Sequence, residues 1–257
     1  ELFTEVINWE EMRDFQLAMF RSGVPHLDVP QDMAFVGVLY KFANKYGIKT
    51  ILNGGNIATE SVQRPLDLIY YGADLKQAKD ILKKFSTNKM TNYPFTSVFY
   101  HKIWLKYFKK VEVFKPLNFL DYSKSKAIKE LEEEYDWKPY SQKHFESRFT
   151  KFFEGYWLLK RFNFDMRRVE LSSMILTNQI SRDQALNILK TPPLSQLEIK
   201  NEFNYIANKL NISTELLEEF LHLPKKFYWD YSNNSSLIFL GERILNLFGA
   251  ARRGGSY

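Results

Sequence analysis

Two polar segments of this chain carry residue types that can do chemistry. The first is Asn53-Gly54-Gly55-Asn56-Ile57-Ala58-Thr59-Glu60-Ser61. Paired glycines permit positive φ and a close approach of the main chain to a ligand, the asparagines offer neutral donors and acceptors, and Glu60 adds a carboxylate near the start of a helix. An ordinary tight turn uses the same residues, so alone the segment reads either way. The second is Lys143-His144-Phe145-Glu146-Ser147-Arg148-Phe149-Thr150-Lys151. At helical spacing its phenylalanines point inward, while His144, Ser147 and Lys151 align near one polar face that can bind phosphate or carboxylate. A solvated face over an aromatic core has the same pattern. A serine and a histidine three residues apart, with no orienting acid, argue against nucleophilic catalysis.

Other candidates are weaker. His26 and Asp28 read as a turn and a helix cap, and Arg167-Arg168 as an anion contact or plain surface. The histidines at 26, 101, 144 and 222 show no ligand spacing and the chain has no cysteine, so no metal is predicted within these residues. There is no Walker A loop and no G-x-G-x-x-G.

The first segment needs a strand before it. Residues 48–52 are short, β-branched and bounded by Gly47 and Asn53-Gly54-Gly55, as a buried parallel strand is; residues 111–114 repeat the pattern after an aromatic helical segment at 98–108. In an open parallel sheet, ligands bind beyond the carboxyl ends of the strands, where this loop lies. Upstream, apolar positions from Trp9 predict a helix closed by Gly23 as a left-handed cap. Asp28 then caps a second helix with Phe35, Val38, Leu39, Phe42 and Tyr46 on one face. Beyond Asp121 only helices are predicted: 123–135, an aromatic stripe from Phe145 to Trp157, a capping box at Ser181 and Gln184, and a helix begun by Ser213. Leu237, Leu240, Ile244, Leu245 and Phe248 are expected to line one side of a terminal packing helix. The expected division is 1–140, the C-terminal part of an α/β nucleotide-binding domain, and 141–257, a helical substrate or partner domain, with Pro192-Pro193 as a rigid joint between helices.

Lysine and arginine number 36 against 30 acidic residues, a dispersed net charge of +6 that suits anionic ligands such as nucleotides and lacks the clustered stripe of a nucleic-acid binder. No apolar run approaches the roughly 20 residues of a membrane span and no basic-then-apolar segment opens the chain, so a cytoplasmic protein is expected. The absence of cysteine agrees with a reducing compartment. The chain starts at Glu1, without methionine and already in a helical pattern, so a segment upstream is expected.

Several separate words, in order, resemble the N-acetyl sugar amidotransferases that make acetamidino sugars for bacterial surface polysaccharides. They are Asn8-Trp9-Glu10-Glu11-Met12-Arg13-Asp14, Gly23-Val24-Pro25-His26-Leu27-Asp28-Val29-Pro30-Gln31-Asp32, Ile51-Leu52-Asn53-Gly54-Gly55-Asn56, Lys143-His144-Phe145-Glu146-Ser147, Phe152-Phe153-Glu154-Gly155-Tyr156-Trp157 and Arg253-Gly254-Gly255. That family resembles the ATP pyrophosphatases (PP-loop superfamily), whose first strand ends in a Ser-Gly-Gly-x-Asp-Ser phosphate loop. Neither that loop nor the family's N-terminal cysteine cluster is in this sequence. Lys115-Pro116-Leu117 after a strand looks like the later part of the same fold.

The resemblance implies an N-terminally incomplete, parallel-sheet α/β domain followed by a mainly helical region. It implies ATP and Mg²⁺ as cofactors, with zinc only in an upstream cysteine segment. The reaction implied is conversion of a sugar-nucleotide acetamido group to acetamidino through an adenylated amide, for lipopolysaccharide O-antigen synthesis. Ammonia comes from a glutaminase similar to that of histidine biosynthesis, with a cyclase-like partner. On this reading Glu60 and Asn56 are catalytic, Asn53, Gly54, Gly55 and Ser61 contact the nucleotide, and Lys143, His144, Glu146, Ser147 and Lys151 bind the sugar nucleotide. A non-catalytic sugar-nucleotide-binding or scaffolding partner of a glutaminase complex is the alternative, and a transfer-RNA thiolation enzyme ranks last.

Overall fold

A computed structural model describes residues 1–247 of the chain, leaving aside the side chains of 242 and 245–247. Arg253-Gly254-Gly255 and Phe248 lie outside the described residues, as does the side chain of Leu245. In chain order the elements are α1 (Trp9–Ser22), α2 (Val29–Lys45), β1 (Thr50–Leu52), α3 (Ile57–Glu60), α4 (Leu75–Phe85), a π-helix (Tyr100–Phe108), β2 (Glu112–Phe114), a 3₁₀ turn (Pro116–Phe119), α5 (Lys124–Tyr135), α6 (Arg148–Phe152), a π-helical turn (Phe153–Trp157), α7 (Leu158–Phe162), α8 (Arg167–Leu176), α9 (Arg182–Leu189), α10 (Gln196–Leu210), α11 (Thr214–His222), a second 3₁₀ turn (Tyr228–Asp230) and α12 (Ser235–Leu247). Among the described residues no helix is long and apolar enough to cross a membrane.

β1 and β2 are the two strands among the described residues and pair with each other. Glu112 N–H donates to Lys49 O (2.8 Å) and Asn53 N–H to Phe114 O (2.9 Å). The pairing partners advance together along both strands, the parallel pattern. The strands fall where the sequence predicts them, but not buried as expected. Of their six residues only Ile51 is buried, because a two-stranded sheet has two open edges and little to cover its faces.

The chain forms two compact units: residues 1–51, 65–112 and the chain from Leu223 onward make one, and 52–64 with 113–222 the other. This differs from consecutive halves meeting at residue 140, because the chain after α11 returns to the first unit. There Tyr231 Oη donates to Ser22 O (2.6 Å), and the backbone N–H of Asn234 donates to Asp74 (2.6 Å).

In the first unit α1 packs on α4 around Phe15, Ala18, Met19 and Ile81. Asn8 caps the start of α1, and Gly23, at φ 76°, closes it as predicted. Buried Glu11 and Asp14, one turn apart on α1, hold the loop after α4: Glu11 accepts from Thr91 and Asn92, Asp14 from Ser86, Thr87 and Asn88. His26 is buried, not on an exposed turn, with Nε2 3.1 Å from Gln77 Oε1. Asp28 holds the N-cap position of α2 without a side-chain cap bond. The expected apolar face of α2 is only partly covered: Phe35 (69% exposed), Leu39 and Tyr46 are exposed and Val38 and Phe42 half-buried, with Phe3 stacked on Phe42 and Tyr46; Met33, Ala34 and Ala43 are the buried positions, and Gly37 lies against the carbonyl of Pro94. On α12 Leu237, Leu240 and Ile244 are likewise exposed and Ile238 is buried.

In the second unit α6, the π-turn and α7 run on from Arg148 to Phe162 and bury Phe152, Phe153, Trp157 and Leu158, with α10 packed against α6. Arg161 is buried and donates to the carbonyls of Phe220 (2.8 Å) and Leu221 at the end of α11, the end where a helix presents unpaired acceptors and negative potential. Both predicted caps are formed: Ser181 and Gln184 make a reciprocal capping box on α9, and Ser213 Oγ accepts from Leu216 N–H (3.1 Å).

Candidate functional site

The loop after β1 is built within the second unit and pinned at each step. Asn53 Oδ1 accepts from the N–H of Gly55 (2.7 Å), closing an Asx turn. Asn56 is buried as the N-cap of α3: its Oδ1 accepts from Thr59 N–H (2.9 Å), and its Nδ2 donates to Gly54 O (3.3 Å). Asn118, in the turn after β2, accepts from Ile57 N–H (2.8 Å). Ala58 O accepts from Thr177 Oγ1 (3.0 Å) and Gln179 Nε2 (2.9 Å), and Ser173 Oγ of α8 accepts from Val62 N–H (3.0 Å). These hydrogen bonds leave the loop little freedom, so it presents its remaining groups in fixed places.

Those remaining groups converge over Gly55. A methyl group added there would sit 2.7 Å from Asn53 Oδ1, 3.0 Å from Glu60 Oε2 and 3.1 Å from Lys115 Nζ. A side chain at Gly55 is opposed by these side-chain ends and not by its dihedrals, since the positive-φ glycines among the described residues are Gly23 and Gly47; the positive φ that paired glycines permit is not used at Gly54-Gly55. Glu60 Oε1 is bound by Lys143 Nζ. Lys115 is half-buried at the carboxyl end of β2, and its ammonium makes no ion pair or hydrogen bond among the described residues. Alongside, Lys124 Nζ pairs with Glu170 Oε1 at 2.6 Å. Burial, then the charges of Glu170 and Glu60, push the Tyr122 phenol up, which keeps it a neutral hydroxyl. The lysines thus outnumber the carboxylates by one, and the unmatched charge is on Lys115.

The second predicted segment does not form the expected polar face. Residues 143–146 are a turn, His144 adopts φ 66°, and the helix starts only at Arg148 with Ser147 as its N-cap. The cap is the reason: Ser147 Oγ accepts from Thr150 N–H (3.3 Å), which fixes the helix start one turn later than the periodicity predicts. The residues disperse accordingly. Lys143 reaches Glu60; His144 Nδ1 lies 3.6 Å from Glu154 on the π-turn; Glu146 is exposed. Lys151 binds Glu198 (3.0 Å) and Glu202 (3.7 Å) of α10, beside Arg148 paired with Glu202 (2.8 Å). The Ser195 N–H and the Lys151 ammonium hold Glu198 down to about 2, so that carboxylate stays charged against Lys151. Lys151 is thereby committed to packing α6 on α10. Ser61 is exposed at the end of α3.

Of the predicted residues the structure brings together Asn53, Gly55, Asn56, Glu60 and Lys143. It adds Lys115, noted in the sequence only as part of Lys115-Pro116-Leu117 and not as a site residue, and Asn118 and the α8 anchors, which the sequence reading passed over. Lys115 was within reach: it follows the second of two adjacent parallel strands, so it lies at the same sheet end as the glycine loop. Among the described residues no group of three histidines, carboxylates or cysteines can hold a metal ion. A Mg²⁺ ion would therefore have the single carboxylate of Glu60 and take its other ligands from substrate phosphate oxygens and water, an arrangement usual for that ion.

No curated protein and no solved structure matches the chain. Residues 146–245, from the turn before α6 into α12 and well under half of the chain, match the family model described as "LPS biosynthesis protein WbpG-like, C-terminal domain", and the match supports involvement in lipopolysaccharide biosynthesis.

Proposed function

We propose that the chain acts in lipopolysaccharide biosynthesis as an ATP-dependent amidotransferase that turns the acetamido group of a nucleotide-activated sugar into an acetamidino group. The observation that carries the reading is the meeting of Lys115 and Glu60 over the bare Cα of Gly55, at the carboxyl ends of two parallel strands, with Lys143 bound to the far oxygen of Glu60. The family match supports the biosynthetic setting. The α/β pyrophosphatase-like fold, the glutaminase that delivers ammonia and the cyclase-like partner are parts of the same proposal.

In this reaction the amide oxygen attacks the α-phosphorus of ATP, pyrophosphate departs, and ammonia then displaces AMP from the former amide carbon with loss of a proton. The chain's residues divide the remaining work. Lys115 and Lys143 counter phosphate charge, and Glu60 meets Mg²⁺ on the same phosphates or takes up the proton that ammonia loses. Asn56 has both side-chain polar groups committed to the loop and Asn53 has its Oδ1 so committed, so they position Gly55 and Glu60.

The test is mass spectrometry of candidate acetamido sugar nucleotides incubated with the chain, ATP, Mg²⁺ and ammonia. A product lighter by the difference between O and NH is expected, and Glu60→Gln is expected to abolish it with the fold intact. Turnover by Glu60→Gln at the unmodified rate refutes the assignment. Tight binding of the sugar nucleotide with no product in any combination points instead to a binding partner.

A further inference from the structure

Lys115 is an anomaly for a folded chain. A half-buried ammonium normally finds a carboxylate or a carbonyl, and its neighbours Lys143 and Lys124 have done so. Its own Nζ has neither among the described residues, and with Asn53 Oδ1 and Glu60 Oε2 it fills the place that a side chain at Gly55 would take. Glu60 enters the same space from the other side. One of its oxygens is bound by Lys143 and the other faces the point over Gly55 that Lys115 also approaches. Two ammonium groups thus flank the Glu60 carboxylate, Lys143 bound to one oxygen and Lys115 sharing the space over Gly55 with the other.

We propose that Lys115 and Lys143 form a clamp for a pyrophosphate-type anion, the linked phosphates of a nucleotide, and that Glu60 is the clamp's internal stand-in ligand. An incoming diphosphate bridges the two lysines, taking Lys143 from Glu60. The freed carboxylate is then available beside the bound phosphates. This inference rests on the nucleotide reading of the site and adds its anion contacts and their order. It also explains why Gly55 is a glycine: any Cβ there occupies the anion's place. Lys151, which the sequence makes an equal candidate for anion binding, is excluded from the clamp by its two carboxylate partners on α10.

The stand-in role makes an unusual prediction. If Glu60 competes with the anion, its neutralisation strengthens binding when no metal is present. Inorganic pyrophosphate is titrated calorimetrically into the chain in EDTA. Lys115→Ala is expected to weaken binding by about tenfold, the lower end of a charge-assisted hydrogen bond. Lys115→Arg is expected to retain it, and Glu60→Gln to bind severalfold more tightly than the unmodified chain. Equal affinity in Lys115→Ala, or weaker affinity in Glu60→Gln whose unfolding midpoint is unchanged, overturns the proposal. Because the measurement uses neither sugar nor ammonia, the two readings fail separately. Pyrophosphate binding in the predicted order without amidine formation removes the amidotransferase reading alone. Amidine formation with pyrophosphate affinity indifferent to Lys115 removes the clamp alone.

Discussion

Asp14→Ala tests how the first unit is held together. Asp14 is 3% exposed and its carboxylate accepts from the Ser86 hydroxyl, the Thr87 N–H (3.1 Å) and hydroxyl (2.9 Å) and the Asn88 N–H (3.0 Å). The hydroxyls can turn to water, and Thr87 and Asn88 are exposed enough for solvent to reach their amides. The loss is therefore smaller than the sum of the bonds: about 2–4 kcal/mol, taking two charge-assisted backbone bonds with partial recovery by water. Its pH dependence has a definite sign. Burial pushes the Asp14 carboxyl up, but the bonds from Ser86, Asn88 and Thr87 outweigh it and hold the group below the ordinary carboxylate range. A depressed folded pKa gives stability that is complete above the unfolded value and is lost as pH falls through the folded one. Urea unfolding followed by circular dichroism should show the full penalty at neutral pH and a shrinking one as acid protonates the native carboxyl. A penalty under about 1 kcal/mol at pH 7, or one equally large in strong acid, refutes the reasoning.

Further predictions follow from single contacts. Gly37→Ala should destabilise by about 1–3 kcal/mol although alanine is the better helix former, since the new methyl lies 2.1 Å from the Pro94 carbonyl oxygen, which is backbone and cannot swing aside; a stabilised variant in thermal unfolding contradicts this. Gly55→Ala meets only side-chain ends, so its unfolding midpoint should stay near that of the unmodified chain while pyrophosphate affinity falls; unchanged affinity speaks against the space over Gly55 being used. Glu202→Ala leaves Arg148 without its carboxylate and Lys151 with one partner fewer, and should cost about 2 kcal/mol in urea unfolding, a value near zero showing that solvent replaces the pair. Burial drives His26 down to about 4, so the native state resists its protonation and stability should fall as pH drops from about 6.5 to 4, a slope that His26→Gln should reduce.

How much of this was legible in the sequence depended on whether a feature was local. Caps and strand positions were, because Asn8, Gly23, Ser181 and the β-branched run before Asn53 act within a few residues of themselves. The aromatic positions at 152, 153 and 157 were legible for the same reason: a period over two turns is enough to say which side is buried, even though a π-turn later widens the helix. Periodicity misled at Lys143 because a single serine cap outweighed a pattern continued through it, and at α2 because apolar spacing says which residues share a face but not that the face is covered. The charge arrangement was not legible at all. Lys143 and Lys151 stand eight residues apart with equal claims on an anion, and what separates them is 83 residues away for one and 47 for the other: Glu60, which shares a site with an unmatched lysine, and Glu198, which with Glu202 locks a helix pair. The sequence therefore names the residues able to bind an anion, and the fold decides which of them are spent. Among the described residues the cation left unspent beside the glycine loop is Lys115, so the proposed clamp rests on a residue whose sequence context marks a strand end and not an anion site.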